Sequence, residues 1–314
     1  MRITFLFPGQ GSQNLNMLSQ YNSEDLSTIH HYLKIAHKVT SLDFISLLDT
    51  KDESINQTIV TQPLIVSHSL AVWSIISRYL KSEHNITALA GHSLGELTAV
   101  AANEMISTEE AITTASIRAK AMQDCMNDLS ISMAVILSTL SIDQIEAIIH
   151  DWKDVWLVND NCPGQVVIGG TSQSVQEAVA ALKLAGIKRA LELPMSVVSH
   201  CPLLDAAQQK LFQHLLEYPL HFGRWPVASN MTATTSKDSL TITERFCAQL
   251  VQRVRFREMI EHLAEDTDYF IEVGPGNILT NLLKKITSKP CLSTATSEQL
   301  LEVCHLLEGG LHVI

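Results

Sequence analysis

Short apolar runs that stop at glycine or proline alternate with longer amphipathic stretches, a rhythm that predicts interleaved strands and helices. Ile3–Phe7 reads as a buried strand ending at Pro8-Gly9. Ser27–Leu48 is periodic and amphipathic, so one helix is expected there, followed by a polar linker, Asp49–Asn56. Thr61-Gln62-Pro63 carries a cap and a proline suited to a first turn. The helix it opens is dense in apolar residues (Leu64, Ile65, Leu70, Ala71, Trp73, Ile75, Ile76) and should be largely buried. Ala88-Leu89-Ala90 is a further apolar run, and Leu97–Ala102 after it suits a helix. Ser107-Thr108-Glu109-Glu110 has the form of a capping box and starts a helix reaching about Asp124.

From about Met133 to Pro194 the order becomes strand (Met133–Ser138), helix (Ile142–His150), strand (Val155–Asn159), strand (Gln165–Gly169), helix (Ser172–Ala185) and strand (Lys188–Leu193). That is the ferredoxin-like order, and it marks a small inserted subdomain able to wall one side of a cleft. The expected division is 129–197 for this subdomain and 1–128 with 198–314 for the larger domain. Beyond it, Ala228-Ser229-Asn230 ends a strand, Glu244–Leu263 reads as one helix, and Tyr269–Val273 is a strand leading into Gly274-Pro275-Gly276. Ile278–Ile286 is helical, and the tail after Ser288 carries little pattern.

Composition narrows the classes. The 314 residues are enough for a sizeable core, and the net charge of −11, with no Lys- or Arg-rich stretch, argues against nucleic acid and anionic membrane as partners. Six cysteines show no metal-ligand spacing, which fits reduced thiols and no metal site. The apolar start is too short for a signal peptide, and no uninterrupted apolar run reaches the length of a membrane span. A cytoplasmic protein is expected.

The chemistry gathers around Gly91-His92-Ser93-Leu94-Gly95-Glu96. A strand, then Gly-x-Ser-x-Gly, then a helix is the pattern of a nucleophile elbow, whose glycines allow strand and helix to approach closely. The serine then sits at a helix N-terminus, where free N–H groups can hold an oxyanion. The same five residues also occur by chance in ordinary loops. The loop Pro8-Gly9-Gln10-Gly11-Ser12-Gln13 lets backbone approach a ligand, but it lacks the lysine of a phosphate-binding loop. Arg118 falls on a helix face of small residues, where a charge needs an anion: either a structural salt bridge or a substrate carboxylate held by two parallel hydrogen bonds. Gln62 by itself reads as a surface residue. His200, between the insert's last strand and Cys201-Pro202, should lie at the domain junction.

These pieces resemble the malonyl-CoA:acyl carrier protein transacylase family. The resemblance rests on Phe7–Gln13, Thr61-Gln62-Pro63, Gly91–Glu96, Arg118 through Met122-Gln123, and Asn161-Cys162-Pro163-Gly164-Gln165. It continues through Ser199-His200, Ser229-Asn230, Gln249 through Val254-Arg255-Phe256, and Glu272–Gly276. It implies an α/β-hydrolase-like large domain with a largely parallel sheet and an inserted ferredoxin-like subdomain. It also implies ping-pong transfer of a malonyl group from malonyl-CoA to the phosphopantetheine thiol of an acyl carrier protein, with the thioester as substrate and no cofactor, and a monomer is expected. By motif, Ser93 is the nucleophile and His200 the base. Backbone N–H groups of Gln10 and Leu94 form the oxyanion hole, Arg118 meets the malonyl carboxylate, Gln62 and His92 line the site, and Gln249 orients the histidine through its carbonyl. The same chemistry would serve a malonate decarboxylase subunit or a polyketide-pathway acyltransferase, and a serine hydrolase or esterase shares the elbow. Carrier docking would need local positive charge, for which Lys284, Lys285, Arg253, Arg255 and Arg257 are candidates beside the plainer reading of a solvated face.

Overall fold

In the computed structural model, which describes residues 1–193 and 196–309, the apolar run after Met1 lies inside a six-stranded sheet. The strands in chain order are β1 (Arg2–Phe7), β2 (Asn85–Gly91), β3 (Ile131–Leu137), β4 (Val155–Cys162), β5 (Gln165–Thr171), β6 (Arg189–Leu193), β7 (Val227–Ala228), β8 (Thr235–Ser236), β9 (Tyr269–Glu272) and β10 (Cys291–Ser293). The large sheet runs β10-β9-β1-β2-β7-β8. All its pairings are parallel except that of β7 with β8. Parallel strands covered on both faces read as continuous apolar runs, and β1 is buried from Ile3 to Phe7. Its one polar member, Thr4, is satisfied by the hydroxyls of Thr87 and Thr267, each 2.7 Å away.

The second sheet is antiparallel, in the order β4-β5-β3-β6. Helices Ile142–Ile149 and Ser172–Leu184 cover it, and Ile145, Val175 and Leu182 join Ala134, Ile136 and Ile168 in a separate small core. The expected end of this segment at Pro194, and the expected chain limit at 314, lie outside the described residues. Met133, Val158 and Val167 of this second sheet pack into the main core, and backbone bonds form a seam between the two units. Val254 forms a parallel bridge to Asn159, exchanging 2.9 Å backbone bonds with Val158 and Asp160. Ion pairs from Arg253 to Glu146 (2.5 Å) and from Arg257 to Asp160 (3.0 Å) flank it.

Three helix expectations need correction, and the tail holds more structure than its pattern suggested. Ser27–Leu48 is two helices, Ser23–Thr40 and Phe44–Asp49, because Ser41 turns left-handed (φ 63°) and the Asp43 side chain caps the second by accepting from the Ser46 N–H. The helix expected from Thr61 begins at Thr58, which puts Pro63 inside it. By length and composition the stretch Thr58–Tyr79 would suffice to cross a bilayer, yet 89% of its apolar window is buried inside the protein. Glu244–Leu263 is interrupted, as Ser239–Ala248 and Phe256–Asp266. The tail after Ser288 holds β10 and a helix, Ser297–Glu308, capped by Thr296, whose Leu300, Val303 and Leu307 complete the main core.

His68, in the middle of helix Thr58–Ile76, is fully buried, and neither ring nitrogen meets a partner among the described residues. Burial pushes its pKa down to about 3. A folded pKa below the ordinary 6.5 makes stability present above pH 6.5 and lost as pH falls toward 3. His68→Leu should therefore remove roughly 1–2 kcal/mol of the acid sensitivity between pH 6.5 and 5. Urea unfolding midpoints at the two pH values measure this; equal sensitivity in both proteins would refute it.

Candidate active site

The loops that matter leave the carboxyl ends of β1, β2, β7 and β9, the edge at which parallel sheets form ligand crevices. β2 ends at Gly91 and helix Gly95–Ala102 begins four residues later, with Ser93 between them at φ 53°. That left-handed conformation is strained for a residue with a side chain. A Cβ at Gly91 would overlap the Gly95 carbonyl, and one at Gly95 would overlap the Phe7 carbonyl. The backbone is thus the sharp strand-to-helix turn and not an ordinary loop.

Ser93 Oγ lies 2.8 Å from His200 Nε2, although 107 residues separate them in sequence. His200 also has a positive φ, 66°, and its Nδ1 is 2.6 Å from the Gln249 carbonyl oxygen. A carbonyl only accepts, so Nδ1 carries the proton and Nε2 offers its lone pair to the serine hydroxyl. The break in the expected helix leaves that carbonyl only a long turn bond, from the Gln252 N–H at 3.4 Å, besides the ring. Gln249 follows Ala248, the last helical residue, where carbonyls lack an intrahelical partner. Burial, with the nearby charges of Arg118 and His92 and against the Gln249 bond, pushes the His200 pKa down to about 3. The imidazole is neutral at pH 7.

Arg118 is 1% exposed and forms no ion pair among the described residues. Its Nη1 donates to Gln62 Oε1 (2.8 Å), its Nη2 to Ser93 Oγ (3.1 Å), and its Nε meets no partner there. Burial lowers its pKa to about 10, opposed chiefly by Glu96, so it stays charged at neutral pH. Gln62 is not on the surface but fully buried. Its amide donates to Thr58 Oγ1 (2.9 Å), and that hydroxyl donates to Gln10 Oε1 (3.0 Å). His92 Nε2 lies 2.8 Å from Asn161 Oδ1, and burial lowers the pKa of this ring as well. The N–H groups of Gln10 and Leu94 have no hydrogen-bond partner among the described residues, whereas the Ser93 N–H is taken by Asn230 Oδ1 at 3.2 Å.

One cavity of about 300 Å³ reaches Gln10, Ser93, Leu94, Arg118 and His200 on the large-sheet side and Val135 and Val167 on the small-sheet side. All the expected site residues thus come together in or directly behind it. Three of the proposed docking cations are already engaged: Arg253 with Glu146, Arg257 with Asp160, and Arg255 with both oxygens of Glu258 (2.6 and 2.7 Å). Lys284 and Lys285, in the last turn of helix Ile278–Ile286, are exposed. Sequence reasoning gave Glu96 and Asn230 no role, although both lie buried beneath the turn. A carboxylate in the otherwise small and apolar run Gly95–Ala102 was the available signal.

Residues 4–302 match the family described as acyl transferase domain. The chain belongs to this family. Among similar members, the malonyl CoA-acyl carrier protein transacylase of Salmonella typhimurium is 33% identical over 289 residues, 91% of this chain and 93% of that protein. The crystal structure of the malonyl-CoA:acyl carrier protein transacylase of Helicobacter pylori superposes with a TM-score of 0.93 at 29% identity, covering 99% of this chain and all of that one. A malonyl-transacylase solved in complex with its type II PKS acyl-carrier protein gives a TM-score of 0.92 at 31% identity, covering 98% of this chain and 100% of that one.

Gly95→Ala must displace the Phe7 carbonyl or the helix itself, so it should cost about 3 kcal/mol or more. Chemical denaturation of the variant checks this; an unchanged midpoint would mean that the backbones are less tightly apposed than described.

Proposed function

We propose that the chain transfers a malonyl group from malonyl-CoA to the phosphopantetheine thiol of an acyl carrier protein through an acyl-serine. The observation that carries the reading is the Ser93–His200 contact of 2.8 Å in a cavity that also holds the charged Arg118, without an ion pair among the described residues. The names of its relatives support the choice of donor and acceptor. We read the large domain (1–128 with 198–314) as α/β-hydrolase-like and the β3–β6 unit (129–197) as ferredoxin-like, in a cytoplasmic enzyme. The antiparallel order β4-β5-β3-β6 supports the second of these.

Ser93 Oγ attacks the thioester carbonyl carbon while His200 Nε2 takes the hydroxyl proton. The carbonyl oxygen becomes an oxyanion facing the free N–H groups of Gln10 and Leu94; in comparable sites each such donor is worth about a hundredfold to a thousandfold in rate. Collapse breaks the carbon–sulfur bond, and the departing coenzyme A sulfur takes the proton from His200. The carrier's thiol then gives its proton to His200 as its sulfur attacks the acyl-serine. Cleavage of the Ser93 ester returns that proton to the serine oxygen. The histidine begins each half-reaction neutral, as its depressed pKa requires of a base. Throughout, Arg118 pairs with the malonyl carboxylate, so an uncharged acyl group would leave the guanidinium buried without an anion.

Intact-protein mass measured after incubation with malonyl-CoA should rise by one malonyl group, and Ser93→Ala should show no adduct. Water attack on a hydrolase's acyl-serine would instead discharge the adduct without any carrier. Arg118→Ala should cut malonyl transfer by about a hundredfold or more while sparing or raising acetyl transfer. Equal losses on both donors would contradict its role.

A further inference from the structure

Glu96 stands one residue beyond Gly95 in a helix whose other members are Gly, Leu, Thr, Ala and Val, all buried. Packing alone would favour another aliphatic side chain there, because a carboxyl at 1% exposure must be compensated by hydrogen bonds. The compensation is specific. Its Oε2 accepts from the Asn230 backbone N–H (2.9 Å), the Asn230 side-chain amide (2.7 Å) and the Gln249 side-chain amide (3.1 Å). Asn230 in turn donates to the Gly91 carbonyl (2.8 Å) and accepts from the Ser93 N–H, and Gln249 presents the carbonyl that holds His200. One oxygen is therefore a single residue removed from both reacting side chains.

We propose that Glu96 is a positioning residue of this site, fixing the serine's turn through Asn230 and the histidine's acceptor through Gln249, and supplying the negative charge that offsets the imidazolium formed as Ser93 is deprotonated. This rests on the acyl-transfer reading above. Arg118 disfavours positive charge on His200 wherever no acyl carboxylate neutralises it, and Glu96 opposes Arg118 in charge. The groups that face Glu96 electrostatically are Arg118 from helix Thr108–Asp124 and Arg245 and Cys247 from helix Ser239–Ala248, with His200 beyond Gln249. Burial raises the Glu96 pKa to about 7, against the Asn230 bonds and the two arginines. A folded value above the ordinary 4.5 means that stability falls as pH rises from 4.5 to about 7, where Glu96 ionises in the folded protein and supplies the charge the reaction uses.

Single-turnover acylation by malonyl-CoA, followed by intact-protein mass from pH 6 to 8, tests this in the unmodified protein. The rate should fall from pH 8 to 6 as Glu96 takes up its proton, approaching that of the uncharged Glu96→Gln protein, a limb that His200, neutral down to about pH 3, cannot produce. Glu96→Gln keeps an amide oxygen for the three donors and loses the charge. It should acylate about tenfold or more slowly at pH 8 with the KM for malonyl-CoA unchanged, show no limb near pH 7, and unfold at no lower urea concentration than the parent at pH 8. A flat parent profile, or a Glu96→Gln protein that is only less stable and reacts at the parent rate, would overturn the proposal. Failure of the parent to form any malonyl adduct would instead overturn the functional reading beneath it.

Discussion

Three stretches of backbone meet in this protein with no side chain between them. Gly95 presses on the Phe7 carbonyl at the end of β1, Gly91 on Gly95, and Gly9 on the His92 carbonyl. That apposition brings the loop after β1, carrying Gln10, against the turn after β2, carrying Ser93. Of the turn's N–H groups, that of Leu94 is left without a partner among the described residues, as is that of Gln10 in the facing loop. The strained φ of Ser93 is a local cost that the surrounding core sustains. The cavity, its donors and the approach of His200 all follow from how closely those strands and that helix are allowed to sit.

Charge is arranged on this frame with equal economy. The interior holds a guanidinium whose hydrogen-bond partners among the described residues are neutral, an imidazole kept neutral by burial, and a carboxyl whose proton affinity is raised by the same burial. Left unpaired, an internal cation of this kind is unfavourable by several kcal/mol, so an anion that reaches Arg118 is bound with what the fold has withheld from it. Selectivity among acyl donors, on the proposed reading, then comes from an unmet electrostatic demand and not from the shape of the pocket alone.

Much of this was legible in the sequence, and what was not has identifiable causes. The capping box at Ser107, the limits of helix Ile278–Ile286 and the order of elements from β3 to β6 followed from periodicity and cap chemistry, which are local. Gly-x-Ser-x-Gly foretold the turn because the steric requirement is written in the glycines themselves. Gln62 looked exposed because its burial depends on Arg118 and Thr58, neighbours that only the tertiary fold supplies. The helix expected over Glu244–Leu263 kept its apolar period across a break at Gln249–Arg255 that owes its existence to partners elsewhere, the His200 ring and the edge of β4. Glu96 went unassigned for a related reason: its worth lies in two residues more than 130 positions away.

The seam at Val254 has a mechanical consequence. Backbone bonds to Val158 and Asp160, with an arginine pair on either side, rivet the small sheet to the large one along one flank of the cleft. On that flank the bonds oppose any motion that would part the two sheets. On the proposed reading, the acyl-CoA thioester and then the carrier's thiol enter the same cleft beside that flank, one vacating it before the next arrives. Asn159, the residue bridged to Val254, also lines the cavity, so on the same reading the pinned flank is a wall that both arms share.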